Sequence, residues 1–156
     1  SLELGRTYAE ITAGLLAFRN DENNQGRFNM FDVKGSKILV DYGHNLASVD
    51  NMLKFARSIA KPDAKITVLL GFSGDRKFMI ESISSSVIKH QIDYVILKLF
   101  TSHLRGAVVG ELADLLSASL LKKGFPQENI LATVEQETEA LDIVLSRLGQ
   151  DNIYIL

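Results

Sequence analysis

A chain of 156 residues, 46% hydrophobic and 23% charged, has the size and balance of one globular domain with a sizeable core. The formal net charge of -2 leaves no global basic field to hold a phosphate backbone, so nucleic acid is not an expected partner. Cysteine is absent, which excludes disulfides, thiolate metal sites and cysteine nucleophiles.

In chain order, residues 7–19 place Ile11, Leu15, Leu16 and Phe18 at helical spacing, and the polar stretch 20–26 then breaks the pattern. A helix followed by a linker is expected. Residues 28–33 and 37–42 read as strands joined by Lys34-Gly35-Ser36, a short glycine turn that closes a hairpin. From Asn45 a helix carries Val49, Met52, Leu53, Ala56 and Ile59 on one face, Pro62-Asp63 ends it, and 66–71 is a buried-looking strand. The alternation then repeats: a helix over 77–90, a strand over 94–100 and a helix over 108–123 that stops at Gly124 behind a basic last turn. A strand over 130–133, a helix over 135–148 with an acidic start, and a strand over 153–156 complete the chain. No apolar run approaches the roughly 18 residues of a membrane span, and the first residues lack a signal-peptide pattern. No membrane partner and a soluble, cytoplasmic protein are therefore expected. An opening at Ser1 rather than at methionine reads as a piece of something longer.

Strands that are almost continuous apolar runs, alternating with helices, imply an α/β fold. The expected architecture is a three-layer Rossmann-like sandwich: a mostly parallel six-stranded sheet, an N-terminal β-hairpin, and helices on both faces. Such sheets bind ligands beyond the carboxyl ends of their strands, which directs attention to the segments after Val40, Leu70 and Leu99.

After Val40 stands Asp41-Tyr42-Gly43-His44-Asn45. A carboxylate there can accept both hydroxyls of a ribose, and a ring or amide can flank a base. An ordinary reading stands beside this one, with Asn45 as a helix cap and Asp41 as a turn residue. After Leu70 stands Gly71-Phe72-Ser73-Gly74-Asp75-Arg76-Lys77, whose glycines allow close backbone approach and whose cations can neutralise phosphate. It is not a Walker A loop, and as a plain β-to-α turn its charges would face water. After the 94–100 strand, Arg105 can grip a carboxylate bidentately, and Glu111 can grip a cation or face solvent. His44, His90 and His103 are too scattered for a metal site, so neither a protein-held metal nor a covalent nucleophile is expected.

Three ordered strings, Gly26-Arg27-Phe28-Asn29, Asp41-Tyr42-Gly43-His44-Asn45 and Gly74-Asp75-Arg76, resemble the PGR, DYAHNP and GDRD signals of the C-terminal domain of Mur ligases. Leu104-Arg105-Gly106 followed by Gly110-Glu111 is similar to the cyanophycin synthetase branch. The resemblance implies that residues 1–25 are a helix and linker from a preceding central ATPase domain and that 26–156 form the C-terminal, glutamate-ligase-like domain. It further implies a multidomain ligase that uses ATP and Mg2+, held mainly by the central domain, to form an acyl phosphate that an amine then attacks. The C-terminal domain closes over ATP and presents the incoming amino acid, aspartate or arginine on a poly-aspartate backbone in this branch. Alone it is expected to be inactive. The resemblance makes Arg27 a phosphate contact, Asp41 the ribose ligand, and Tyr42, His44 and Asn45 base-side or loop-shaping neighbours. Gly74, Asp75 and Arg76 become phosphate or loop residues, and Arg105 and Glu111 candidates for amino-acid recognition.

The chain departs from those strings in several places. Gln25 and Leu46 stand where proline is usual, Gly43 replaces alanine, Lys77 follows the GDR string, and 100–103 lacks the acids that a guanidinium substrate needs. Ligase architecture is thus better supported than arginine specificity. The alternatives are a peptidoglycan-precursor or folylpolyglutamate-type ligase and a non-catalytic flavodoxin-like binding module. Homo-oligomerisation is left open by the sequence.

Overall fold

The computed structural model describes residues 5–17, 24–102 and 104–156. Helix α1, Tyr8–Ala17, starts in a capping box: the Glu10 carboxylate accepts from the Thr7 backbone N–H (2.8 Å) and hydroxyl (3.0 Å), and Thr7 Oγ1 accepts from the Glu10 N–H (3.2 Å). No residue of this helix is buried, and Leu15 and Leu16 are 73% and 83% exposed. Only Ile11 on this helix is even half-buried among the described residues. Phe18 and residues 20–23 of the expected linker lie outside the described residues.

The hairpin is formed by β1, Asn29–Val33, and β2, Ser36–Val40, antiparallel in a register that pairs Val33 with Ser36. Lys34 and Gly35 both take positive φ, 49° and 85°, which is the backbone a two-residue primed turn demands. Then follow α2 (Leu46–Ile59), β3 (Ile66–Leu70), a 3-10 turn over Gly74–Met79, α3 (Ile80–Lys89) and β4 (Tyr94–Lys98). The chain ends with α4 (Glu111–Lys122), β5 (Ile130–Val134), α5 (Glu137–Ser146) and β6 (Ile153–Ile155). The sheet order is β1-β2-β6-β3-β4-β5, with every pairing parallel except the hairpin.

This order distributes the helices. The connections β2 to β3, β3 to β4 and β4 to β5 all step one way along the sheet, whereas β5 to β6 steps back. Right-handed crossovers then put α2, α3 and α4 on one face and α5 on the other. The packing agrees. Leu53, Ile83, Leu116 and Leu120 join Leu39, Ile66 and Val68 in the larger core, while Ala140 and Val144 of α5 meet Ile38, Ile96 and Tyr154 in the smaller one. The expected six-stranded α/β sheet with an N-terminal hairpin and helices on both faces is the observed fold.

The helix starts that differ most from the sequence reading are those of α3 and α4. The stretch expected as one helix from 77 divides into the 3-10 turn and α3. The third core helix begins at Glu111 rather than at 108, because Gly110 sits at φ 88°, outside helical space.

Candidate functional site

The carboxyl ends of β2, β6, β3 and β4 open into two adjoining clefts that share Tyr42, Gly43, Gly71, Phe72 and Phe100 in their walls. The larger, about 420 Å³, is floored by apolar strand ends such as Val40, Leu69 and Leu156 and edged by Asp41 and Lys98. The smaller, about 340 Å³, is walled by His44, Ser73, Arg76 and Arg105 in addition to the shared residues.

Asp41 sits where β2 gives way to α2. Its Oδ2 accepts from the Phe28 backbone N–H at 2.9 Å, and its Oδ1 accepts from the Gly43 N–H at 2.7 Å and the Ser48 hydroxyl at 3.1 Å. An ionised carboxylate offers about four acceptor sites, so three are committed to shaping the loop. A backbone bond from Tyr42 N–H to Gly26 O, 3.0 Å, and one from Gly26 N–H to Asn29 Oδ1, 2.6 Å, tie residues 26–29 against the same loop. Arg27 is thereby brought against the 41–45 loop. The Arg27 guanidinium lies 4.7 Å from the centre of the Tyr42 ring, which is itself 67% exposed and tilted against His44 at 5.2 Å. Asn45 caps α2 through Oδ1, which accepts from Ser48 N–H at 2.9 Å.

The 71–77 segment is clamped to the loop before α4. A Cβ on Gly74 would stand 1.9 Å from the Leu104 carbonyl oxygen, so glycine is what permits the close approach. Arg105 Nη1 reaches Asp75 Oδ2 at 2.6 Å, and Lys77 Nζ reaches Glu111 Oε1 at 2.6 Å. The Ser73 hydroxyl and then the Arg105 guanidinium hold the Asp75 carboxyl below the usual carboxylate range. Lys77, followed by the Val108 backbone N–H, does the same for Glu111. Arg76 is half-buried and makes no side-chain hydrogen bond or ion pair with the described residues. Arg105 and Glu111, both candidates for amino-acid recognition, are each engaged by the 74–77 segment. His103 lies outside the described residues.

Lys98 was not visible as a site residue because it stands inside the apolar run 94–100 and reads as a strand end. Its side chain is only 12% exposed. Its Nζ donates to the carbonyl oxygens of Leu99 (3.2 Å) and Glu135 and stands 3.5 Å from Glu137. The Lys98 stem fills the space that a side chain at Gly71 would need, with Cβ 2.5 Å from an ideal Gly71 Cβ. A second unread cluster, Ser86 on α3 and His90 just past its end, both bonded to Asp50 Oδ1 of α2 at 2.8 Å, lines neither cleft and pins two helices together. No group of three or more His, Asp or Glu side chains that could hold a metal forms among the described residues, and no described helix is long and apolar enough to cross a membrane.

A mostly parallel α/β sheet with loops gathered at its strand ends defines a class of domain that takes ligands at that edge. The chain belongs to the Mur ligase, glutamate ligase domain family, whose model matches residues 26–156. A cyanophycin synthetase from Geminocystis herdmanii is 27% identical over 150 residues, covering 94% of this chain and 16% of that protein. The chain thus spans 16% of the length of this curated relative. Among solved structures, the UDP-N-acetylmuramoylalanyl-D-glutamyl-2,6-diaminopimelate--D-alanyl-D-alanyl ligase from Acinetobacter baumannii has a TM-score of 0.63 at 16% identity, covering 99% of this chain and 30% of that one. FolC from Escherichia coli in complex with ADP has a TM-score of 0.60 at 15% identity, covering 83% and 27%.

Proposed function

We propose that this chain is the C-terminal, nucleotide-contacting domain of an ATP-dependent amide ligase of the cyanophycin synthetase branch. In the ligase, the carboxylate of an acceptor chain takes the γ-phosphoryl group of ATP, releasing ADP. The amine of an incoming amino acid then attacks the acyl carbon, and phosphate leaves as the amide forms. The observation that carries this reading is spatial: the loops at 41–45, 71–77 and 104–111, far apart in sequence, meet at one edge of the sheet.

The residues present fit a nucleotide. The larger cleft has apolar walls for a base, Tyr42 offers an exposed ring, and Asp41 keeps one acceptor site for a ribose hydroxyl. Magnesium and the triphosphate would be held mainly by a central domain elsewhere in the ligase, with ATP supplying the phosphoryl group. Arg27 rests on Tyr42, so its assigned phosphate contact requires the guanidinium to leave the ring when the domains close. His44 and Asn45 shape the loop beneath it, Asn45 by capping α2.

The experiment is amino-acid-dependent ADP release by the full-length polypeptide with magnesium, ATP, an aspartate-chain primer and each common amino acid in turn. Release that depends on aspartate or arginine is the expected result. Release only with another amino acid moves the protein to a peptidoglycan-precursor or folylpolyglutamate branch. No release, together with tight flavin binding, replaces the ligase with a binding module.

A further inference from the structure

We infer that the outer edge of β1 is a homodimer contact, at which two copies of this chain pair their β1 strands antiparallel across a two-fold axis through Phe31. In the sheet β1 stands outermost, and no described residue adds a strand to its outer side. The ladder on its inner side fixes which backbone groups face outward. Lys37 N–H donates to Asn152 O at 2.9 Å and Leu156 N–H donates to Leu39 O at 2.8 Å, so residues 37 and 39 of β2 turn these groups toward β6. Their register partners, Asp32 and Met30, then direct N–H and C=O away from β2, while Phe31 bonds inward to Ile38.

Edge strands are ordinarily protected by lysine, proline or a bulge. β1 has none of these: it reads Asn-Met-Phe-Asp-Val, and its register with β2 runs unbroken. At the opposite edge of the sheet, by contrast, β5 carries a register irregularity against β4. Residues 30–32 are all exposed, and two of them, Met30 and Phe31, are large and apolar. The single charge on the strand, Asp32, is met by Lys37 of the same hairpin at 2.7 Å, so two copies can approach without opposing like charges. The segment is also its own complement. With Phe31 on the axis, Met30 of one copy lies opposite Asp32 of the other, and each outward N–H meets an outward C=O. The two Phe31 side chains then stand directly opposed, with Cβ atoms about 4.5–5.5 Å apart. Phe31 pairs in register with Ile38 of the smaller core and Met30 with Leu39 of the larger one, so the pairing extends both faces of the sheet across the axis. An edge this short supports a weak, reversible dimer rather than an obligate one.

The test is sedimentation velocity of the full-length polypeptide over a range of concentrations, for the natural sequence and for three variants. A concentration-dependent equilibrium between monomer and dimer is expected. Met30→Pro removes an N–H that β2 does not use, so the hairpin is kept and association weakens by about tenfold. Phe31→Lys sets two ammonium groups against each other and weakens association by about as much. Mixing Phe31→Lys with Phe31→Glu restores it, which a merely unfolded hairpin would not do. A monomer at every concentration overturns the inference, whether the edge is then bare or taken by another strand of the same polypeptide. So does a dimer that either Met30→Pro or Phe31→Lys leaves at full strength, or a mixture of the two Phe31 variants that does not associate.

Discussion

At the scale of single residues, Asp41 has two demands on one carboxylate. Three of its acceptor sites hold the 26–29 and 41–48 segments together, so the loop geometry depends on both oxygens being acceptors. In Asp41→Asn one of them becomes an NH2 group, which faces an N–H or hydroxyl donor. We expect a loss of about 1 kcal/mol in urea denaturation, together with a raised KM for ATP in the full-length polypeptide. Lower stability with an unchanged KM would leave Asp41 a latch and remove it from the nucleotide site. The ion pairs that hold the 74–77 segment respond to pH. Asp75 and Glu111 have folded-state pKa values below their unfolded ones, so the stability they contribute is complete above the ordinary carboxylate range and is lost as pH falls through the lowered values. The clamp between the 74–77 segment and α4 should therefore loosen below about pH 4, read as line broadening of the 74–77 and 104–111 amides in NMR spectra. A clamp that persists unchanged well below that range would show that these pairs carry none of the attachment.

At the scale of elements, the clamp also depends on glycine. Gly74→Ala drives a Cβ into the Leu104 carbonyl oxygen, a backbone atom that cannot swing away, so the 3-10 turn must shift. A destabilisation of about 1–3 kcal/mol is expected, with the Arg105–Asp75 distance lengthened in a crystal structure. On the opposite flank, α2 and α3 share the Ser86, Asp50 and His90 cluster. Its Asp50 carboxyl is held below the usual range by the Ser86 hydroxyl first and His90 second. His90 is 8% exposed, and Asp50→Ala leaves that imidazole and a buried hydroxyl without their acceptor, so a cost of about 1–3 kcal/mol is expected in thermal unfolding. The elements themselves were legible because each obeys a local rule: period 3.6 at Val49, Met52, Leu53 and Ala56, near-continuous apolar strands, and a Lys34-Gly35 turn. Where boundaries slipped, a nonlocal or conformational cause intervened, as at Gly110 with its positive φ and at the 3-10 turn pinned by Leu104.

At the scale of the whole molecule, the two cores flank one sheet, and the clefts exist because strand ends stop short of filling the space between the loops. Ile83 is fully buried in the larger core and lines neither cleft. Ile83→Ala should cost about 2–5 kcal/mol in urea denaturation without changing nucleotide or amino-acid selectivity, separating stability from site chemistry. Helix α1 buries none of its residues among the described ones, although its helical spacing was plain in the sequence. The sequence by itself determined the α/β class, the hairpin, the alternation of elements and which loops carry the polar groups, since hydrophobic period and turn chemistry act over a few residues. Only the tertiary structure decided that β6 inserts between β2 and β3, that Lys98 is half-buried at the cleft, and that Arg105 and Glu111 pair with Asp75 and Lys77. Those outcomes depend on crossover direction and on contacts between segments about 30 residues or more apart, which no local pattern encodes.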